Sequence, residues 1–150
     1  MELEKLINND LKDAMRAKDK RKLEALRAIK SALLLAKTGK DVADGEIPES
    51  VELKLLQKLV KQRKESALLY REQNRPELAE EEEYQSAIIE KYLPEQMSEE
   101  EIAEVVKTII QQTGASSMKD MGRVMGMASK QLSGKADNKL ISTIVKGLLG

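Results

Sequence analysis

One dipeptide constrains this chain more than any other: Leu93-Pro94, followed by Ser98-Glu99-Glu100-Glu101, interrupts a sequence that otherwise repeats its apolar residues at helical spacing. A proline cannot continue a helix, because it lacks the N–H and its ring collides with the preceding turn. Ser98 with Glu101 three residues on forms a capping box that starts a new helix. The chain is therefore expected to divide into an N-terminal helical domain, 1–93, and a C-terminal helical domain, 94–150.

Before the break, Leu3, Leu6, Ile7, Leu11, Ala14 and Met15 recur at helical intervals, and Leu23, Leu26, Ile29 and Leu33 do so after a charged turn at Lys18 to Lys20. These patterns predict helices over 2–16 and 19–37. The stretch TGKDVADGEIP, 38–48, collects two glycines, two aspartates and a proline, and reads as a mobile loop with Pro48 at a helix start. A third helix over 49–73 turns Leu56, Leu59, Ala67 and Tyr70 inward, and a fourth over 76–92 turns Leu78, Gln85, Ile88, Ile89 and Tyr92 inward. After the break come helices over 99–112, with Ile102, Val105, Val106 and Ile109 inside, then 117–132, then 138–149, capped by Asp137, with Leu140, Ile141, Ile144, Val145 and Leu148 inside. Gly114 and Gly134 suit the left-handed closing positions. The fold class is all-α: an elongated N-terminal four-helix bundle plus a small C-terminal three-helix lobe. Composition agrees, since the absence of Phe and Trp, with only three Tyr, offers little to a β-sheet.

The densest information lies in GASSMKDMGRVMGMASKQLSGKAD, 114–137. At the helical repeat Met118, Met121, Met125, Ala128 and Leu132 share an arc of ~80°, and Lys119, Arg123, Gly126 and Lys130 share ~60° on the other side. One face packs and the other can meet an anion. Lys135 lies between the last two helices, and Lys139 and Lys146 align on the final one. Gly122 and Gly126, one turn apart, are close-approach glycines: they admit either a crossing helix or a phosphate backbone beside Arg123 and Lys130. Each weakens a helix by about 1 kcal/mol relative to Ala, which calls for a compensating reason. Met127 falls near the polar side and marks a candidate contact surface.

The net charge of zero hides segregation. Residues 1–75 carry 18 basic and 13 acidic side chains, 76–104 carry 1 and 11, and 105–150 carry 7 and 2. A basic face with two acids nearby lacks the usual pairing partners; without aromatics it can bind phosphate and shape but cannot stack bases. Lys54, Lys58 and Lys61 also align, but Glu65 one turn beyond Lys61 makes that stripe an ordinary solvated face. Arg63 points with Leu59 and Tyr70 into the bundle, and Glu81 and Glu82 are its expected partners, a structural role.

The run KYLPEQMSEEE, 91–101, together with 114–137, resembles the YqeY family and its relative, the tail domain of the B subunit of aspartyl/glutamyl-tRNA amidotransferase. KQRKES, 61–66, and NRPELAEEE, 74–82, resemble the N-terminal domain of the free-standing family members, so the similarity extends over essentially the whole chain. The resemblance implies RNA handling: the amidotransferase tail is associated with presenting transfer RNA, while the chemistry lies in parts of that enzyme with no counterpart here. It implies transfer RNA and an amidotransferase or other protein as partners.

Other classes find little footing. With no cysteine and no histidine, thiol nucleophiles, the commonest general base and the commonest metal ligand are all missing. Ser116, Ser117 and Lys119 faintly resemble amidase chemistry but suit helix capping, and the adjacent carboxylates Glu80 to Glu83 point in different directions, as a solvated surface does rather than a metal site. No catalytic residue, cofactor or metal is expected. No run is apolar enough for a membrane span, and the N-terminus MELEKLINNDLKDAM is charged and amphipathic, unlike a signal peptide, so a cytoplasmic protein is expected. Three functions follow: a non-catalytic RNA-associated protein; a protein-interaction adaptor whose basic stripe only solubilises; or an accessory to, or bearer of, glutamine-dependent carbon–nitrogen ligase activity.

Overall fold

The computed structural model describes residues 2–38 and 46–150, so most of the loop expected over 38–48 lies outside the described residues. The fold is all-α. Helices α1 (Glu2–Arg16), α2 (Lys20–Lys37), α3 (Glu49–Glu72) and α4 (Pro76–Glu90) precede the break, and α5 (Glu99–Thr113), α6 (Met121–Gln131) and α7 (Asn138–Leu149) follow it. The chain resolves into two compact units, 1–93 and 94–150.

In the first unit α3 packs along α4, while α2 lies against both α1 and α4. Ile7, Leu11, Leu26, Ile29, Leu56 and Ile89 are central to its core. Pro48 stands as the N-cap of α3, and Pro76 takes the first position of α4, where its missing N–H is harmless. Helix α4 ends at Glu90, two residues before the sequence expectation. Tyr92 thus sits in the following turn, half-buried, and its hydroxyl donates to Asp10 of α1. Burial, and then that hydrogen bond, raise the phenol pKa above its ordinary range. Burial also raises the Glu52 carboxyl, and the neighbouring carboxylates Glu49 and Glu4 add to it.

Arg63 is half-buried, as its position implies, but its partner is different. Its Nε donates to Gln85 Oε1 at 3.0 Å and its Nη1 to the carbonyl of Leu59 at 3.2 Å. Gln85 Nε2 in turn donates to Glu24 Oε2 at 3.3 Å, so a polar relay runs through α3, α4 and α2. The expected partner Glu81 instead meets Arg21 of α2 at 2.9 Å, and Glu82 carries no ion pair among the described residues. The reason is axial: Glu81 and Gln85 share one face of α4, one turn apart, and it is Gln85 that lies level with Arg63 of α3. Glu83 points back to α3 and pairs with Arg71 at 2.6 Å, so adjacent carboxylates of this run do serve different helices.

Periodicity assigned some side chains to the wrong side. Leu6, Met15, Leu78 and Leu148 are exposed, whereas Val60, which the pattern passed over, is buried. Each misplaced residue flanks a correctly placed one by about 100°, and a helical wheel alone does not say how wide the covered arc is.

The second unit places α5, α6 and α7 each against the other two around Ile102, Val106, Ile109, Val124, Ile141 and Val145. The Ser98–Glu101 capping box is complete, with both reciprocal hydrogen bonds formed. Gly114 closes α5 with φ of 70° and Gly134 adopts φ of 77°, the left-handed region where a β-carbon is strained. The segment after Pro94 is tied down: Met97 N–H donates to Lys135 O at 2.9 Å and Gln96 Nε2 to Gly134 O at 2.7 Å. Two stretches that look unrelated in sequence, 94–98 and 132–137, are therefore one structural piece.

Candidate nucleic-acid interface

The segment expected to be one helix over 117–132 is two. Ser117 Oγ accepts from the Lys119 N–H at 3.3 Å and starts a single 3-10 turn, Met118–Asp120, before α6 begins at Met121. Tighter winding changes the phase, since a 3-10 turn has three residues where an α turn has 3.6. Met118 consequently leaves the predicted apolar stripe and is 46% exposed. The packing face of α6 is centred instead on Val124 and Ala128, both 0% exposed, with Met121 and Met125 half-buried beside them. Met127 also packs partly against the core, so it is not a free contact surface.

On the opposite side of α6, Gly122, Arg123, Gly126 and Lys130 are all exposed, and Lys119 is exposed on the preceding turn. A β-carbon built at Gly122 or Gly126 would meet nothing within 4 Å. Within the second unit that rules out the crossing-helix account: neither α5 nor α7 approaches either glycine. Gly147, which the sequence reading did not single out, is open in the same way, on the exposed side of α7 with Lys139, Thr143 and Lys146. A glycine inside an amphipathic helix, off its apolar arc, is the sequence signal that could have found it.

The charges are not equivalent. Arg123 donates through Nη2 to the carbonyl of Thr113 at 3.3 Å and to Asp120 Oδ1 at 3.4 Å, which makes it partly structural. The other Asp120 oxygen accepts from the Ser116 N–H at 3.1 Å, and Asp137 caps α7 by accepting from the Lys139 N–H at 3.4 Å. Both acids of residues 105–150 are therefore engaged locally, and Lys119, Lys130, Lys135, Lys139 and Lys146 have no carboxylate within 4.0 Å among the described residues. Lys130 and Lys146 lie in the last turns of their helices, where the dipole favours a cation. Lys139 lies in the first turn of α7, where the dipole disfavours one. Lys119 and Lys139 have no structural account within the fold. The Ser117 hydroxyl caps the 3-10 turn, and the Ser116 backbone N–H donates to Asp120 in the same turn.

Among the described residues no helix is long and apolar enough to cross a membrane. A mitochondrial protein of Pyrenophora tritici-repentis, "altered inheritance of mitochondria protein 41", is 31% identical over 145 residues, covering 94% of this chain and 77% of the relative. Its name places that relative in mitochondria, unlike the cytoplasmic location expected from this sequence. A glutamyl-tRNA(Gln) amidotransferase chain from Thermococcus gammatolerans is 41% identical over 54 residues, which cover 33% of this chain and 9% of that relative. The family model for YqeY-like proteins matches residues 4–149. With the match spanning both units, the chain belongs to the YqeY family.

Proposed function

We infer that the second unit is a non-catalytic RNA-binding module, with transfer RNA the first ligand to test, and that its contact surface is built on Lys119, Gly122, Gly126, Lys130 and Lys139, with Lys135 and Lys146 supplementing the charge. One observation carries this reading. Once local hydrogen bonds and ion pairs are assigned, five lysines lack acidic partners among the described residues, and Gly122 and Gly126, like Gly147, have nothing beside them that a β-carbon would meet. The lysines supply charge for phosphates, and the glycines remove the side chains that would hold a backbone away. Similarity to an amidotransferase whose name includes transfer RNA supports the choice of ligand. Arg123 contributes less than its position on the stripe suggests, because Asp120 and Thr113 already hold it.

The test is titration of bulk transfer RNA into the full chain at low and moderate salt. Binding driven by counterion release weakens steeply with salt, and K119Q/K130Q/K139Q should make the logarithmic salt slope shallower by roughly 0.7 to 0.9 for each phosphate contact removed. An unchanged affinity and slope in the triple variant would exclude this surface. A second reading, a protein-docking adaptor, is favoured by the exposed leucines of the first unit, Leu34, Leu35, Leu68 and Leu69. It gains ground if the parent binds no RNA at low salt. An accessory role beside an amidotransferase is compatible with either, and no residue of this chain is assigned to ligase chemistry.

A further inference from the structure

The turn between α1 and α2 breaks two local rules at once. Besides Gly134 beyond α6, three residues in the left-handed conformation close helices α1, α3 and α5, with the backbone hydrogen bonds of such an end. Two of these positions hold suitable residues, Asn74 after α3 and Gly114 after α5. The third, after α1, holds Lys18 at φ of 57°, although its closing bonds, Lys18 N–H to Met15 O and Asp19 N–H to Ala14 O, are the same kind. A lysine there is strained where glycine would not be. The second breach follows immediately: the first turn of α2 is Lys20, Arg21 and Lys22, with no acid, at the end of a helix that disfavours cations.

The strain at Lys18 has no compensation among the described residues, and against the cations of its first turn α2 sets a single acid, the N-cap Asp19. Arg21 alone is satisfied, by Glu81 at 2.9 Å and by lying 4.0 Å from the centre of the Tyr84 ring. Arg16, Lys18, Lys20 and Lys22 have no carboxylate within 4.0 Å among the described residues, and the first three are exposed. Asp19 is turned to its capping task, accepting from the Lys22 N–H at 3.2 Å. Glu24 takes the Gln85 amide, and Asp13 is the one neighbouring carboxylate without such an assignment. Local choices that disagree with the fold in the same five residues are a mark of function.

We propose that the α1–α2 turn is a phosphate-binding surface of the first unit in its own right, in which Arg16, Lys18, Lys20 and Lys22 engage the phosphate backbone of an RNA. The proposal rests on the preceding reading for the identity of the polyanion. A nucleic acid fits better than a bilayer surface, because among the described residues Met15 is the one exposed bulky apolar side chain adjoining the turn and membrane-seated helices present a whole apolar face.

The experiment compares the full chain, R16Q/K18Q/K20Q/K22Q and K119Q/K130Q/K139Q in binding bulk transfer RNA across salt concentrations, with vesicles containing phosphatidylserine as a parallel probe. The turn variant should show a logarithmic slope shallower by about 3 to 3.5 and weaker binding at low salt. Its melting temperature should hold or rise, since the substitutions relieve the first turn of α2, and K20Q/K22Q gives a half-sized effect should the quadruple variant fold poorly. An effect of the turn variant without one from the second-unit variant leaves this surface standing and removes the other. The parent binding RNA with the turn variant unchanged overturns it, as does loss of vesicle binding with RNA binding intact. A parent that binds no RNA overturns both.

Discussion

Replacing Gly126 by alanine should make the protein more stable and a poorer RNA binder, two effects that a merely structural glycine would not combine. Gly126 is the sixth residue of the eleven-residue α6, well inside the helix, so the full propensity difference of about 0.8 to 1.0 kcal/mol applies. Nothing subtracts from it, because a β-carbon there meets no atom within 4 Å. Gly122, second in α6, lies in the first turn and should gain less, roughly a few tenths of a kcal/mol. The double variant G122A/G126A is thus expected to stabilise the second unit by about 1 to 1.5 kcal/mol. All three tyrosines, Tyr70, Tyr84 and Tyr92, belong to the first unit, so intrinsic fluorescence is blind to this change. Hydrogen exchange of the α6 amides under mild urea is the appropriate assay, read beside RNA affinity. Equal or tighter RNA binding by a stabilised double variant would refute the role given to the glycines, and destabilisation would refute the structural premise that their surroundings are open.

R63M should destabilise the first unit by about 1.5 to 3 kcal/mol in urea titration, the range for charged hydrogen bonds lost with a partner left unsatisfied, and less than a buried ion pair would give. A double-mutant cycle should show coupling of Arg63 with Gln85 and none with Glu81; coupling with Glu81 would restore the rejected pairing. K18G removes the strained left-handed lysine and should raise stability by about 1 kcal/mol, while lowering RNA affinity if the turn contacts phosphate. Tyr92 has a folded pKa above its unfolded value, so its contribution is intact below about pH 10 and is lost as pH rises beyond; stability should fall more steeply with pH there in the parent than in Y92F. Identical alkaline profiles for the parent and Y92F would remove Tyr92 from the account.

The sequence by itself determined what depends on near neighbours. Pro94 forbids a continuous helix, Ser98 and Glu101 can reach each other's backbones across three residues, and Gly114 is freed for a left-handed closure, whatever the rest of the chain does. The apolar repeat likewise marks Leu26, Ile29, Ile102, Val106 and Val145 as inward, since no other face of those helices could be covered. Tertiary structure decided what depends on which neighbour arrives. Gln85 rather than Glu81 receives Arg63 because it lies one turn further along the same face of α4, level with Arg63, whereas Glu81 lies level with Arg21. Met118 faces solvent because one 3-10 turn shifts the phase of the residues before α6, a change smaller than any periodicity can resolve. The glycines of the candidate site looked the same in sequence whether they admitted a helix or a ligand, and only the positions of α5 and α7 show that the space beside them is open.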